Sequence, residues 1–519
     1  MQRIPKLIGV DAPDPVAVPW RSGSDLEDTG NASEAIPLPP PSPPRPIGPP
    51  MTDTLPPQVV AAPAADPTGA GAPKTLTRSI GVVGGTLLTL SCVTPASSLF
   101  VLVPDLFSSL GTATAMSIAI GSVLCIAVAF CYSELGTLIP SAGGEYAMVG
   151  TLAGRFAGWL VFVQSLIVVM IVPSVIAIGT ADYLTPIMHV DARWAGAAVM
   201  LAATVAGLLD LRANAWITGV FLVLEVIAAG VVSVLGFAHS ERGVGSMLHG
   251  VVGDSHGGSS TVGFAAILAA MGTALFVTQG FSTAIYLSEE LENPRRNVAR
   301  TVLWTLALSV VVILVPVIAI TMGAPDLDTL TGGDVSGLVA GWSNSTVGSF
   351  ISLCIALAII NAGIVMVIQN SRVLFASGRD KAWPEPVNKA FGTLNRHGSP
   401  WISTLAVGVP GAVLCFVPNG LLTNITGVAV AALYLLVAVA ALFSRRGAHK
   451  DAPAWRQPLW PVLPVLLILV LGYVLTKLDP TALWWTGGLT AAAALYWLLY
   501  LRPRQDSRWV ITLPEDEQV

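Results

Sequence analysis

From Lys74 to Arg502 the chain alternates long apolar runs with short polar junctions. A helix needs about 20 mainly apolar residues to cross a bilayer. Runs of that kind fall at roughly 80–104, 112–135, 155–181, 193–210, 213–238, 261–288, 300–323, 347–372, 401–418, 421–444, 459–477 and 480–501. They predict an all-α integral membrane protein with about twelve spans, the fourth and ninth being short.

Two of these runs are interrupted. The first holds 92-CVTPASSLF-100 at its centre. Pro95 removes a backbone donor and clashes with the preceding turn, which gives a simple anchor no advantage. The sixth, 272-GTALFVTQGFSTAIYLS-288, concentrates polar and small residues between Thr278 and Thr283. The two interruptions lie five spans apart. Because five is odd, a second copy of a five-span unit must point the opposite way. Two halves, 80–238 and 261–444, therefore predict an inverted repeat with helices 1 and 6 broken, followed by two extra helices at about 459–501. Transporters built this way hold substrate near the midplane, where one helix of each half unwinds. Irregular backbone is tolerated at that depth only where it is buried in protein or lines a cavity. Freed N–H groups suit a carboxylate, and freed carbonyls suit a cation or ammonium. A packed proline kink would account for the first interruption alone. Two in matching positions point to a binding site.

Composition agrees with this picture and sets the tail apart. The chain is 53% hydrophobic and 11% charged, against about 25% charged for a soluble domain. The net charge of −5 carries little meaning when most of the chain is out of water. Residues 1–77 hold 18 of the 38 prolines, including 39-PPPSPPRP-46. Such a stretch buries too little apolar surface to fold and predicts a disordered cytoplasmic tail. It lacks the apolar core of a secretory signal, and Met51 is a second candidate start. A further polar tail is expected at 503–519. Basic residues set the orientation. With the N-terminus inside, nineteen Lys and Arg fall on the inner side, four more in the distal tail, and only Arg193, Arg242 and Lys477 outside. Both termini are then cytoplasmic.

Glu225 stands at the centre of 216-WITGVFLVLEVIAAGVVSVLGF-237, as the one acidic residue in the middle of any predicted span. A charge there costs about 3 kcal/mol or more unless it is paired, protonated or wetted, so it defaults to a functional reading. It is the candidate proton-coupling residue, and pairing with a substrate ammonium is the other role open to it. A neutral structural hydrogen-bond partner is the bland alternative. The stretch 353-LCIALAIINAGIVMVIQN-370 has Asn361 as its only polar residue in the middle. Glu134, Glu289, Glu290 and Arg295 fall at inner helix ends, where surface pairing explains them as readily as a gate clamp. Cys92, Cys125, Cys131, Cys354 and Cys415 sit in apolar runs without a CxxC pair and read as small buried hydrophobes. His189, His239, His249, His256, His397 and His449 fall in loops, with no HxxxH or HExxH pair. An enzyme is not expected, nor any metal, cofactor or nucleic acid.

Three junctions complete the pattern: 132-YSELGTLIPSAGGEY-146, 288-SEELENPRRNVART-301 and 370-NSRVLFASGRDKAWPEP-386. Together, and in this spacing, they resemble the signatures of the amino acid–polyamine–organocation (APC) superfamily of permeases, over about residues 78–445. The resemblance implies a LeuT-type fold of five spans plus five inverted spans, often with two more. It implies secondary active transport of amino acids or organic amines such as polyamines, commonly by proton coupling or exchange, across the plasma (inner) membrane. The lipid bilayer, a small amine-bearing solute and protons are the expected partners. On this resemblance the substrate-binding residues are Thr94, Pro95, Ala96, Ser97 and Ser98 in the first span and Gln279, Gly280, Phe281 and Ser282 in the sixth. Where relatives carry a Gly-small-Gly bend this chain reads Ala96, Ser97 and Ser98, so close approach to a substrate carboxylate is altered. Phe276 matches the aromatic that closes over substrate, with Tyr146 and Tyr434 as further gate candidates. Relatives that do not use sodium often carry a lysine at the Glu225 position, so that lysine's role does not transfer. The sodium site of LeuT-type relatives takes hydroxyls from the middle of span eight, and none is present here, which favours protons or exchange. A non-transporting sensor or subunit on the same fold is the alternative.

If the tail makes no packing contribution, a chain lacking residues 1–70 will reach the membrane and take up solute at the full-length rate. A truncated chain that inserts but does not transport would overturn this.

Overall fold

A computed structural model describes residues 80–511 apart from 142, 185–188, 210, 254–257, 397 and 447–453. The predicted proline-rich tail lies outside the described residues. Helices occupy every stretch that the apolar pattern marks. Seven segments are long and apolar enough to cross a membrane: Val82–Leu138, Arg155–Leu184, Gly219–Ala238, Pro294–Gly323, Thr346–Arg379, Asn419–Ala441 and Pro480–Arg504. Shorter apolar helices cover Ala192–Gly207, Trp401–Leu414 and Val462–Leu475. The sixth predicted stretch is divided into Phe264–Ala269, Met271–Val277 and a 3-10 stretch Phe281–Leu287. The protein is thus a multi-pass, mainly helical membrane protein.

Local sequence sets the helix limits. Asn344 Oδ1 accepts from the Val347 amide and opens the long helix Ser345–Arg379. Asp479 Oδ1 accepts from the Ala482 amide, with Pro480 in the first turn, where its missing N–H is not needed. Small residues let helices approach closely, as membrane packing requires. Gly236 and Gly323 face each other between helices Leu211–Ala238 and Pro294–Gly323. A Cβ on Gly236 would lie 2.6 Å from the Ala319 carbonyl oxygen, and one on Gly323 2.6 Å from that of Gly236. Val223, Ile227 and Val234 on the first of these helices remain exposed, as do Trp484 and Trp485 near the C-terminus, which suits contact with lipid. One element escaped the sequence pattern. Val251–Gly253 and Ser259–Thr261 pair antiparallel with Val252 opposite Ser260, and the Val251 amide donates to Thr112 Oγ1 at 2.9 Å.

One face of the bundle is laced together by polar contacts. Glu134 is fully buried. It accepts from Arg445 Nε and Nη2 at 2.9 and 3.0 Å, from the Gln457 amide at 2.8 Å and from Ser444 Oγ at 2.8 Å. Arg372 pairs with Glu290 at 2.9 Å. The amide of Ile80 donates to the Glu290 carbonyl at 3.1 Å, and that of Glu292 to the Ile80 carbonyl at 2.9 Å. The C-terminal segment is not a free tail over its described part. Trp509 is completely buried, donates to the Arg155 carbonyl at 3.1 Å and packs on Tyr146, Trp159 and Phe162. The Val510 amide donates to the Asp380 carbonyl at 3.0 Å, and Arg508 pairs with Glu385 at 3.2 Å.

The Glu134 cluster has an asymmetric energetic consequence. Arg445→Met strands a carboxylate with no exposed surface, at about 3 kcal/mol. Glu134→Gln leaves a partly exposed guanidinium that turns to water, which costs less. Thermal unfolding of the purified chain in detergent should therefore show the larger loss for Arg445→Met. The reverse order would contradict this account of the cluster.

Candidate functional site

The first helix ends where the sequence breaks it. Val82–Val93 closes at Thr94, which is forced to φ +47°, a left-handed conformation disfavoured for a β-branched residue. Pro95 opens the next turn, and the chain then passes through a π-helical stretch, Ser98–Leu102, before resuming at Val103–Leu110. The Ala96 amide, freed from its helical partner by this geometry, donates to Glu225 Oε2 at 3.3 Å. Glu225 Oε1 has no partner among the described residues, and neither do Thr94 Oγ1 and Ser97 Oγ, all fully or almost fully buried. Ser98 Oγ donates to the Val93 carbonyl at 3.4 Å. Helices Leu211–Ala238 and Ser345–Arg379 both pack on the Pro95–Ser97 turn. Asn361 on the second of these is buried, with an unpartnered Nδ2.

The second break touches the first. Met271–Val277 ends at Thr278, and Gly280 turns the chain at φ +119°, open only to glycine without strain. A Cβ on Gly280 would sit 2.9 Å from Val93 Cα, so the glycine also lets the two broken helices meet. The Thr283 amide donates to the Gly280 carbonyl at 3.0 Å and its hydroxyl to the same oxygen at 2.7 Å. Beside this turn lies a small cavity of ≈ 50 Å3 whose wall includes Cys92, Glu145, Ser165, Gln279, Ser282, Thr283 and Tyr286.

Of the residues expected to bind substrate, Gln279, Gly280 and Ser282 line this cavity. Thr94 through Ser98 do not; of these, Ala96 is bonded through its amide to Glu225. Phe281 is fully buried in a ring cluster with Tyr132 and Tyr434, at centroid distances of 6.0 Å to each. Tyr434 keeps a buried hydroxyl without a partner. Phe276 is buried in the short helix before the turn. Tyr146 is drawn toward the C-terminal segment: its hydroxyl donates to Asp380 Oδ2 at 2.8 Å and its ring packs on Trp509.

Sequence reasoning missed Glu145. It opens helix Glu145–Ala153, is 2% exposed, and accepts from the hydroxyls of Tyr286 and Tyr132. Burial pushes its carboxyl above the usual range, and the hydrogen bond from Tyr286 opposes that shift. Its only signal was an acid following Gly143 and Gly144 in a junction that is otherwise a helix connection. Tyr183 was missed as well, since no pattern marks it. Its hydroxyl donates to the Phe100 carbonyl at 2.6 Å and its ring meets Phe100 edge-on at 5.8 Å. Among the described residues no group of three or more His, Cys, Asp or Glu is disposed to hold a metal ion.

The arrangement offers a freed amide, buried hydroxyls and a half-satisfied carboxylate on one side of the touching breaks. On the other side it offers a polar cavity with a second buried carboxyl. Hydrogen-bond donors and acceptors and two carboxyls are thus buried on either side of the point where the breaks touch.

Several known transporters are similar to this chain in sequence. The branched-chain amino acid permease BcaP of Bacillus subtilis is 22% identical over 82% of this chain and 92% of its own. The methylthioribose transporter of the same organism is 23% identical over 76% of this chain and 87% of its own. Cationic amino acid transporter 3, mitochondrial, of Arabidopsis thaliana is 27% identical over 64% of this chain and 57% of its own. The sequence pattern of the family described as amino acid permease matches residues 77–499, and the chain belongs to that family, within the APC superfamily.

Proposed function

We propose that the protein is a secondary active transporter of amino acids or closely related amines, working by alternating access and coupled to protons. The observation that carries this reading is the contact of Glu225 with the freed Ala96 amide, where the two broken helices touch. Family membership and the names of the relatives support amino acids as the solute class. The proposed architecture is the LeuT-type fold with twelve spans, helices 1 and 6 broken, and two helices added at the C-terminus. The bias of Lys and Arg supports both termini on the cytoplasmic side of the plasma membrane. A non-transporting subunit would have no use for buried hydroxyls and a half-satisfied carboxylate at the breaks.

Coupling follows from solvation. A carboxyl that alternates between a dry and a wetted setting changes its proton affinity with conformation. Glu225, bonded to the backbone of the moving break, changes its surroundings whenever that break moves. Protonation releases Ala96, and substrate can then take the amide with its own carboxylate. Glu145 is the second candidate carrier, because it lines the cavity on the other side of Gly280.

Two measurements test this. Ser97→Leu fills the space at the break and removes its hydroxyl, and uptake should drop at least about tenfold, equivalent to about 1.4 kcal/mol, with insertion intact. Normal uptake would move the site elsewhere. Glu225→Gln keeps the shape and a hydrogen-bond acceptor but cannot titrate. It should retain solute counterflow in proteoliposomes and lose accumulation driven by an imposed pH gradient. Proton flux equal to that of the native chain would remove Glu225 from the coupling step and transfer the role to Glu145.

A further inference from the structure

The first broken helix is interrupted twice by proline. Pro95 follows the left-handed Thr94, and Pro104 stands further on, in the first turn of Val103–Leu110. Between them lies the π-helical stretch Ser98–Leu102, where the Val103 amide reaches back to the Ser98 carbonyl. Stretches of this kind are rare and are frequent at functional sites. In an α-helix each carbonyl accepts from the amide four residues on. For Phe100 that residue is Pro104, which has no N–H. The helix therefore cannot supply the usual donor to the Phe100 carbonyl.

Tyr183 supplies one from another helix. Its hydroxyl donates to the Phe100 carbonyl at 2.6 Å, and its ring meets the Phe100 ring edge-on at 5.8 Å. The backbone is fitted to this approach. A Cβ on Gly179, one turn before Tyr183, would fall 2.5 Å from a Val101 methyl group, so the glycine lets the end of that helix close on the π-helical stretch. The first span is thus held at two points by side chains of two different helices. Glu225 holds the Ala96 amide, and Tyr183 holds the Phe100 carbonyl.

The place of the second point gives it a use. A large cavity, of ≈ 710 Å3, opens at the helix ends opposite the Glu134 and Arg372 contacts, and Phe100 and Tyr183 both border it. They keep only 2% and 5% of their surface exposed. Ser97 and Ser98, just before Phe100 in the chain, are buried and do not border the cavity. The bonded pair forms a wall between this space and the hydroxyls of the first break. We propose that Tyr183 is a positioning residue for transport: by replacing the donor that Pro104 removes, its hydroxyl holds the first break closed toward the cavity, and release of that one bond opens the break from the same side. This role rests on the transport site proposed at the breaks; the bond itself does not.

The test follows a cysteine placed behind the pair. Ser98→Cys is introduced into the full chain, purified in detergent, and its modification by 2-(trimethylammonium)ethyl methanethiosulfonate is timed. The native chain, whose five cysteines are all buried, is the blank. Tyr183→Phe keeps the ring and deletes the donor. It should speed modification about fivefold, the worth of one neutral hydrogen bond. An unchanged rate overturns the proposal. Pro104→Ala returns the missing N–H, so in that background Tyr183→Phe should change the rate less than about twofold. Loosened packing alone would survive that substitution, and a full fivefold effect there overturns the proposal equally. If Tyr183→Phe does not fold, Pro104→Ala is measured by itself. A second donor on the Phe100 carbonyl should slow modification, and an equal or faster rate counts against the latch decisively. Leucine counterflow, measured in the chain that keeps Ser98, reports on the transport reading. Its absence beside the faster modification would sink that reading and leave the hold of Tyr183 on the break standing. Counterflow beside an unchanged rate would sink the latch alone.

Discussion

The structure turns on one hydrogen bond that a continuous helix would not need. Pro95 and the left-handed Thr94 leave the Ala96 amide without its backbone partner in the middle of an apolar bundle. An unmet polar group at that depth costs several kcal/mol. Glu225 supplies the acceptor from a neighbouring helix. The same carboxyl would itself be expensive among apolar residues if nothing met it. Each defect is tolerable because the other exists. Neither is fully satisfied, since Oε1 of Glu225 and the hydroxyls of Thr94 and Ser97 remain unpartnered. That residual demand is what a substrate or a proton can meet.

The second break depends on the first sterically rather than by hydrogen bonding. Gly280 has to be glycine twice over, once for its φ and once because Val93 stands where a Cβ would go. Movement of one broken helix is therefore felt by the other at the point of contact. Binding at either side of that contact would bias both, which is the requirement for coupling two halves through one small site.

Much of this was legible in the sequence, for physical reasons. A proline, a glycine or a carboxylate inside an apolar run conflicts with its surroundings, and such conflicts mark function. Pro95, Gly280 and Glu225 were readable on that ground. Glu145 was not, because it stands in a polar junction where an acid is ordinary; only the fold folds that junction inward beneath Tyr132 and Tyr286. Trp509 was hidden in the same way. A single tryptophan in a charged terminal stretch carries no periodicity, yet it fills the space between Tyr146, Trp159 and Phe162. The short hairpin at 251–261 was missed because six Gly, Ser and Thr-rich residues fall below what alternation can reveal. Tyr146, a gate candidate in the sequence, gives its hydroxyl to Asp380 in the fold.

The polar contacts that lace one face of the bundle differ in how readily they separate. Arg372 and Glu290 are 32% and 20% exposed, so water replaces their bond at little cost. Glu134 has no exposed surface and accepts four bonds, from Arg445, Ser444 and Gln457. Parting it from Arg445 would strand a buried charge. The Tyr146 to Asp380 bond is also buried and is backed by Trp509. Under the proposed alternating access, opening on this face is easiest beside Glu290, next to the segment Phe281–Leu287 that follows the second break, while the buried Glu134 cluster ties its helices together. The cavity beside Gly280 already reaches toward that weaker side through Tyr286 and Gln369. On that proposal the strong contacts belong within one moving unit, and the weak one lies where the units would part.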